Sequence, residues 1–184
     1  MPSAKADRRK VVASRIPPYV LNADHQTPSR ELQRIITKET SVLDGFRAGD
    51  GIYFYGESPS GKTMAAGWLA KRCLVQNIGV LWHTTDSLVR RRDQDWDDIL
   101  LTEVLVLDPL AEAHILSKED IRTMYWLLEE RMALFRAVVL CSRMEPSDLT
   151  DVFGVGLVKK MERHMQFVKC GFDKKQTQCA IQRF

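Results

Sequence analysis

Eight consecutive residues, Gly56-Glu57-Ser58-Pro59-Ser60-Gly61-Lys62-Thr63, carry the most specific chemistry in the sequence. They match G-x-x-x-x-G-K-[ST], the P-loop, with no deviation. The glycines allow the backbone to curl until successive N–H groups face one point. A helix that starts here adds its own unpaired N–H groups and a partial positive charge. A polyphosphate is the ligand such a loop is built to hold, and ATP with Mg²⁺ is the expected cofactor. Lys62 is expected to reach the β- and γ-phosphates, and the Thr63 hydroxyl to ligate Mg²⁺. The nucleotide-binding segment runs from Gly56 to Met64, where the helix takes over.

Further chemistry is expected at the ends of buried strands, where parallel sheets place their ligands. Asp108 follows the apolar run Val104-Leu105-Val106-Leu107. An acid at that position holds Mg²⁺, so Asp108 joins Thr63 in the metal set. Ser142 and Arg143 follow the run Ala137 to Cys141, and a polar side chain there can meet a γ-phosphate or its attacking water. Thr84, Thr85 and Asp86 end another strand and read as a helix cap rather than as ligands. The residue after Asp108 is Pro109, which can neither accept nor donate a proton. Glu112 lies close in sequence but not at that position. Binding groups are therefore present while the usual base is absent.

The elements that must position these groups alternate in type. Ile52 to Tyr55 reads as the strand before the loop, and Met64 to Val75 as the helix after it. Val80 to Thr85, Val104 to Leu107, Ala137 to Cys141 and Gln166 to Cys170 read as further strands. Val104 to Leu107 is a continuous apolar run, which marks strands covered on both faces. Between them, Asp86-Ser87-Leu88 begins one helix, Ser117 caps another over Ile121 to Leu134, and Leu157 to His164 forms a last one. Ser147 to Asp151 reads as polar. Asp44-Gly45 and Ala48 to Gly51 read as turns. Glu31 to Thr40 has a helical period. The fold class is thus α/β, a parallel sheet with helices on both faces. Three parts are expected: a basic tail over residues 1–12 with Lys5, Arg8, Arg9 and Lys10, a linker and helix over 13–50, and an ATP-binding core over 51–184.

Composition narrows the classes. The chain has 184 residues and a net charge of +3, ordinary for one globular domain. No apolar run approaches a membrane span, and no signal-peptide core follows the N-terminal charges. The four cysteines form no C-x-x-C pair, and Cys73 and Cys141 lie in apolar stretches as reduced core thiols. Cys170, Cys179 and His164 are poorly spaced for zinc. A reducing cytoplasm is the expected location.

With these features placed, the chain resembles the DnaC/IstB-like branch of the AAA+ ATPases, the bacterial and phage helicase loaders and transposition ATPases. Arg15-Ile16-Pro17-Pro18-Tyr19 is similar to the family's N-terminal segment. Gly56 to Thr63 with Met64-Ala65-Ala66 is similar to its P-loop helix, and Val80 to Leu88 to its second strand and cap. Glu130-Arg131 with Arg136 to Ser142 resembles its helix and sensor-1 strand. The resemblance implies an AAA+-type sheet, an ATP site completed by a neighbouring subunit, and partners that are DNA and a replicative DnaB-type helicase or a transposase. Single-stranded DNA and a homo-oligomer formed with ATP follow as expected partners. The chain departs from the pattern at Pro109, where a second acid is usual, and at Cys141-Ser142-Arg143, where Thr-Ser-Asn is usual. Glu162-Arg163 best matches the pair that bears the trans-acting arginine, and Lys174 or Lys175 replaces a terminal arginine. A full helical lid is not apparent. The implied function is an ATP-binding protein of the helicase-loader type in DNA replication, phage-encoded or bacterial. An IstB-like transposition helper and a non-hydrolysing ATP-binding adaptor are the alternatives. A small-molecule kinase is disfavoured, since no Arg-rich lid follows the sheet to clamp a second phosphate.

The residues themselves give a further reason to look at Arg163. Beyond Lys62 the site has no strong internal cation, and charge developing on a transferred phosphoryl group is often met by an arginine in trans. Leu157, Val158 and Met161 share one side of their helix, which turns Arg163 outward with Lys159 and Lys160 on a basic face. Lys62, Asp108, Ser142 and Arg163 are accordingly the candidate catalytic groups.

Overall fold

The computed structural model describes residues 13–22, 38–90, 96–110 and 116–171. Five strands form one sheet: β1 (Gly51–Tyr55), β2 (Val80–His83), β3 (Val104–Leu107), β4 (Ala137–Ser142) and β5 (Met165–Lys169). Their order across the sheet is β2-β3-β4-β1-β5, and every pair is parallel. The described helices are α1 (Pro18–Asn22), α2 (Glu39–Ala48), α3 (Lys62–Val75), α4 (Thr85–Arg90), α5 (Trp96–Leu101), α6 (Lys118–Ala133) and α7 (Pro146–His164).

The continuous apolar runs have the expected cause. Side chains alternate across each strand, and both faces are buried. Ile52, Phe54, Val104, Val106 and Val139 belong to one core with α3 and α2. Tyr53, Leu105, Leu107, Val138 and Leu140 belong to the other, with α5, α6 and α7. The small residues Ala65, Ala66 and Ala70 let α3 lie close on the sheet. At Gly67 the helix meets a second neighbour: a Cβ there would stand 2.0 Å from Val20 Cγ1. That contact seats α1 on the P-loop helix. Two further contacts tie the same N-terminal segment to β2. Trp82 N–H donates to Ser14 O at 2.8 Å. Arg15 Nη1 lies 3.1 Å from His83 Nε2; arginine can only donate, so Nε2 is the acceptor.

Several boundaries differ from the expectations. Asp44-Gly45 and Ala48 lie within helix α2, not in turns, because burying Leu43 and Phe46 outweighs one internal glycine. The stop comes at Gly49, whose φ of 94° lets its N–H reach Gly45 O and Phe46 O. Glu39 and Thr40 belong to α2, while residues 31–37 of the expected earlier helix lie outside the described residues. Ile99 to Leu101, just before β3, lie in helix α5, to which no element was assigned from the sequence. Helix α7 begins at Pro146, eleven residues before the expected start, since Glu145 and Asp148 form a capping box around its first turn. Gly154, at φ 80° and ψ 155°, breaks it near the middle. The expected cap at Ser117 is present and reciprocal with Asp120. The tail over residues 1–12, Glu112, Cys179 and Lys174-Lys175 fall outside the described residues, as does any lid after residue 171.

Candidate nucleotide-binding site

The P-loop connects the carboxyl end of β1 to the first turn of α3. Two glycines make its shape possible. Gly56 has φ 124°, and a Cβ there would stand 2.3 Å from Cys170 O, so the chain passes too close to β5 for any side chain. Gly61 has φ 83° and forms the N-cap of α3. Glu57, Ser58 and Pro59 at the tip are exposed, while Ser60 is buried. Lys62 Nζ lies back along the loop and donates to Gly56 O at 2.6 Å, Glu57 O at 3.0 Å and Ser60 Oγ at 2.8 Å. The ammonium therefore sits at the mouth of the loop on exchangeable partners, where a phosphate oxygen can compete for it.

Asp108 comes from the end of β3, two strands away from β1. Its N–H donates to His83 O at 2.9 Å, which fixes the strand end. The Thr63 hydroxyl and the Lys62 charge both act on the carboxylate. Burial is the largest influence and raises its pKa above the ordinary carboxylate value; Thr63 and Lys62 both pull it down. A half-buried carboxylate near a hydroxyl, with burial outweighing the positive charge beside it, is a fit for a small hard cation. Among the described residues no three His, Cys, Asp or Glu side chains converge on one point. Mg²⁺ suits such a site, because it is commonly held by one or two protein oxygens together with substrate phosphates and water. Thr63 and Asp108 would hold it, and its charge would offset that of the β- and γ-phosphates.

The structure brings Lys62, Thr63 and Asp108 together and places the other two candidates differently. The Ser142 hydroxyl is buried, donating to Leu110 O at 3.3 Å and accepting from Met144 N–H at 3.1 Å. It stitches the turns that follow β3 and β4. Arg163 lies near the end of α7, where β5 is about to start in register with Gly51. That is the opposite end of the strands from the P-loop, one strand length or roughly 16 Å away for five residues. Arg163 is exposed there and serves no phosphate on its own loop. Thr84 is the cap it resembled: its hydroxyl accepts from Ser87 N–H at 3.0 Å.

One buried charge was not anticipated. Arg131 is 0% exposed. Its guanidinium donates to Ile99 O, Leu100 O, Thr102 O, Glu103 O and Ala137 O. Burial, followed by nearby Arg136, lowers its pKa to about 9, so it remains a cation at neutral pH. The signal in the sequence was its register: Met124, Leu127, Leu128 and Arg131 share one apolar stripe of α6.

A P-loop after β1, an acid after β3, and a parallel sheet ordered β2-β3-β4-β1-β5 define an α/β P-loop fold of the AAA+ type. Solved structures share it. The DnaC helicase loader superposes with a TM-score of 0.67 at 15% identity, covering 90% of this chain and 100% of that one. DnaI gives 0.70 at 19% identity, covering 85% and 95%. AMPPCP-bound DnaA from Aquifex aeolicus gives 0.68 at 18% identity, covering 91% of this chain and 55% of that one. At such identities the likeness is one of fold. No family model matches the chain, and no curated protein does either.

Proposed function

We propose that the protein is an ATP-binding AAA+ protein of the helicase-loader type that acts in DNA replication. The observation that carries this reading is the meeting of Lys62, Thr63 and Asp108 at the carboxyl ends of a sheet with the strand order of that fold. The P-loop backbone and Lys62 bind the triphosphate, and Thr63 and Asp108 hold Mg²⁺. ATP binding then drives assembly of a homo-oligomer on a DnaB-type helicase and single-stranded DNA. The fold shared with the DnaC loader and DnaI supports the kind of partner. Among the described residues no helix is long and apolar enough to cross a membrane.

Pro109 favours a second reading, an adaptor whose ATP site sets its assembly state without useful turnover. An IstB-like transposition helper shares the same site and differs in partner. Two measurements test the proposal. Lys62→Ala should lower Mg²⁺-ATP affinity at least a hundredfold with the fold retained, because Lys62 is half-exposed and lies outside both cores. Unchanged affinity would remove the P-loop reading. Capture of a DnaB-type helicase by the ATP-bound protein is expected; capture of a transposase instead would move the assignment to the transposition helper.

A further inference from the structure

A cleft of about 410 Å³ opens at the amino-terminal end of the sheet, away from the P-loop. One wall is a stripe of α2 that runs from its N-cap Lys38 to Phe46. The other is the α7–β5 junction with Arg163 and His164, and the floor is the start of β1. From Lys38 to Phe46 the stripe is about 12 Å long at the helical rise. The volume lies in the range of about 300–1,000 Å³ that small-molecule sites occupy.

The charges in this cleft are of both signs and do not satisfy one another. Lys38, Arg163 and Asp50 all line it. Among the described residues, the ion pairs are elsewhere: Arg47–Asp44, Arg90–Asp86, Lys160–Glu129 and Lys169–Glu145. Asp50 is held against α2 because residue 45 has no side chain; a Cβ at Gly45 would stand 3.2 Å from Asp50 Oδ2. The half-buried Val42 offers apolar surface between the charged groups. A ligand that answers all of these features has an anionic end, a flat apolar body and an N–H donor. A lone anion would leave Asp50 unanswered, and a lone cation would be repelled by Lys38 and Arg163.

We propose that this cleft is a second nucleotide site, which takes a phosphorylated nucleoside whose base carries an exocyclic amine. The phosphate lies on Arg163 and Lys38, since a guanidinium can donate two parallel hydrogen bonds to phosphate oxygens. The base lies along the α2 wall with its amine donating to Asp50. The ligand is either a free nucleotide or one unit of a single strand. The site is separate from the P-loop, so its fate and that of the ATP-binding reading can be told apart.

The test uses the full chain carrying Lys62→Ala, in which no copy holds ATP in its P-loop or presents it to a neighbour. Fluorescence anisotropy follows binding of labelled oligo(dA) and oligo(dT), with AMP as competitor. Oligo(dA) is expected to bind, and Lys38→Gln and Arg163→Gln should each weaken it by roughly tenfold. Lys159→Gln, on the same helix but outside the cleft, should leave it nearly unchanged. Asp50→Ala, which removes the acceptor, should erase the preference for oligo(dA) over oligo(dT), because thymine has no exocyclic amine. Displacement by AMP identifies a free-nucleotide site; resistance to AMP identifies a strand site. No binding of either oligo(dA) or AMP overturns the proposal. So does binding that survives both cation variants, or an equal loss with Lys159→Gln, which would mark only diffuse charge. All of these residues are exposed, and equal melting temperatures across the variants confirm that the fold is retained.

Discussion

The Thr63 hydroxyl, on the first turn of the P-loop helix, lies near enough to the Asp108 carboxylate at the end of β3 to lower its pKa. These residues are forty-five positions apart, and the sheet brings them together because β3 and β1 flank β4. The contact is a compromise. Burial raises the Asp108 pKa, while Thr63 and Lys62 only partly offset it. The folded protein thus binds this proton more tightly than the unfolded chain. Stability from this group is present at low pH and falls as pH rises through the window between the unfolded and folded pKa values.

Asp108→Asn removes that penalty. In the absence of nucleotide its melting temperature at pH 7 should exceed the parent's by an amount on the order of a few degrees. The gain should shrink at acid pH, as protonation of the parent carboxyl relieves the burial penalty. The same variant should lose the Mg²⁺-dependent part of its ATP affinity. Thermal melts at the two pH values and ATP titrations with and without Mg²⁺ check both halves. A lower melting temperature at pH 7 would mean that Thr63 and the Lys62 charge together outweigh burial.

Arg131 works in the opposite sense, since its buried guanidinium donates to five backbone carbonyls. Arg131→Met fills much of the volume but removes that donor; Glu103 O keeps Ala137 N–H at 3.0 Å, while the other carbonyls lose their side-chain partner. The expected loss is roughly 3–5 kcal/mol by urea denaturation, the scale of breaking a buried charged network. Arg131→Lys keeps a charge with fewer donors and should recover only part of it. A loss below about 1 kcal/mol for Arg131→Met would show that water replaces the guanidinium.

What the sequence disclosed follows the range of each interaction. The P-loop and its flanking strand and helix are local in the chain, so glycine geometry and apolar runs were enough to read them. The place of Asp108 at the end of β3 was legible because the apolar tetrad before it marks a buried strand. The role of Ser142 was not, because its partners Leu110 and Met144 are set by how two turns pack, not by spacing. Helix α2 was hidden by Gly45 and Asp44, which look like a turn until Leu43 and Phe46 are seen in the core. The cleft between Lys38 and Arg163 joins segments more than a hundred residues apart, and no periodicity reports such a meeting.

Pro109 leads to a prediction about turnover. Its carbonyl accepts from Thr85 N–H at 3.2 Å and Thr85 Oγ1 at 3.0 Å, and Leu110 N–H donates to Cys141 O at 2.7 Å. The turn is fixed on both sides with no carboxylate at the position that ordinarily orients water. Basal ATP hydrolysis should be well under the roughly 10 s⁻¹ typical of enzymes. Pro109→Glu should raise it without improving ATP affinity. Steady-state phosphate release checks this. Rapid turnover by the parent, unaffected by Glu112→Ala, would show that another group positions the water.

Arg163 carries the prediction about assembly. It lies a strand length from its own P-loop, is exposed, and has Lys159 on the same helix. A cation at the far end of the sheet can meet ATP only on another copy, and that arrangement makes a head-to-tail contact that closes into rings or runs on as a spiral. Arg163→Ala should bind ATP with parental affinity yet lose ATP-dependent oligomers in sedimentation and any residual hydrolysis. Mixing it with Lys62→Ala copies should restore some activity, because an Arg163→Ala copy keeps its own P-loop and a Lys62→Ala neighbour still offers Arg163. Two inactive variants that stay inactive when mixed, with assembly unchanged in Arg163→Ala, would confine this arginine to the cleft it lines with Lys38 and Asp50.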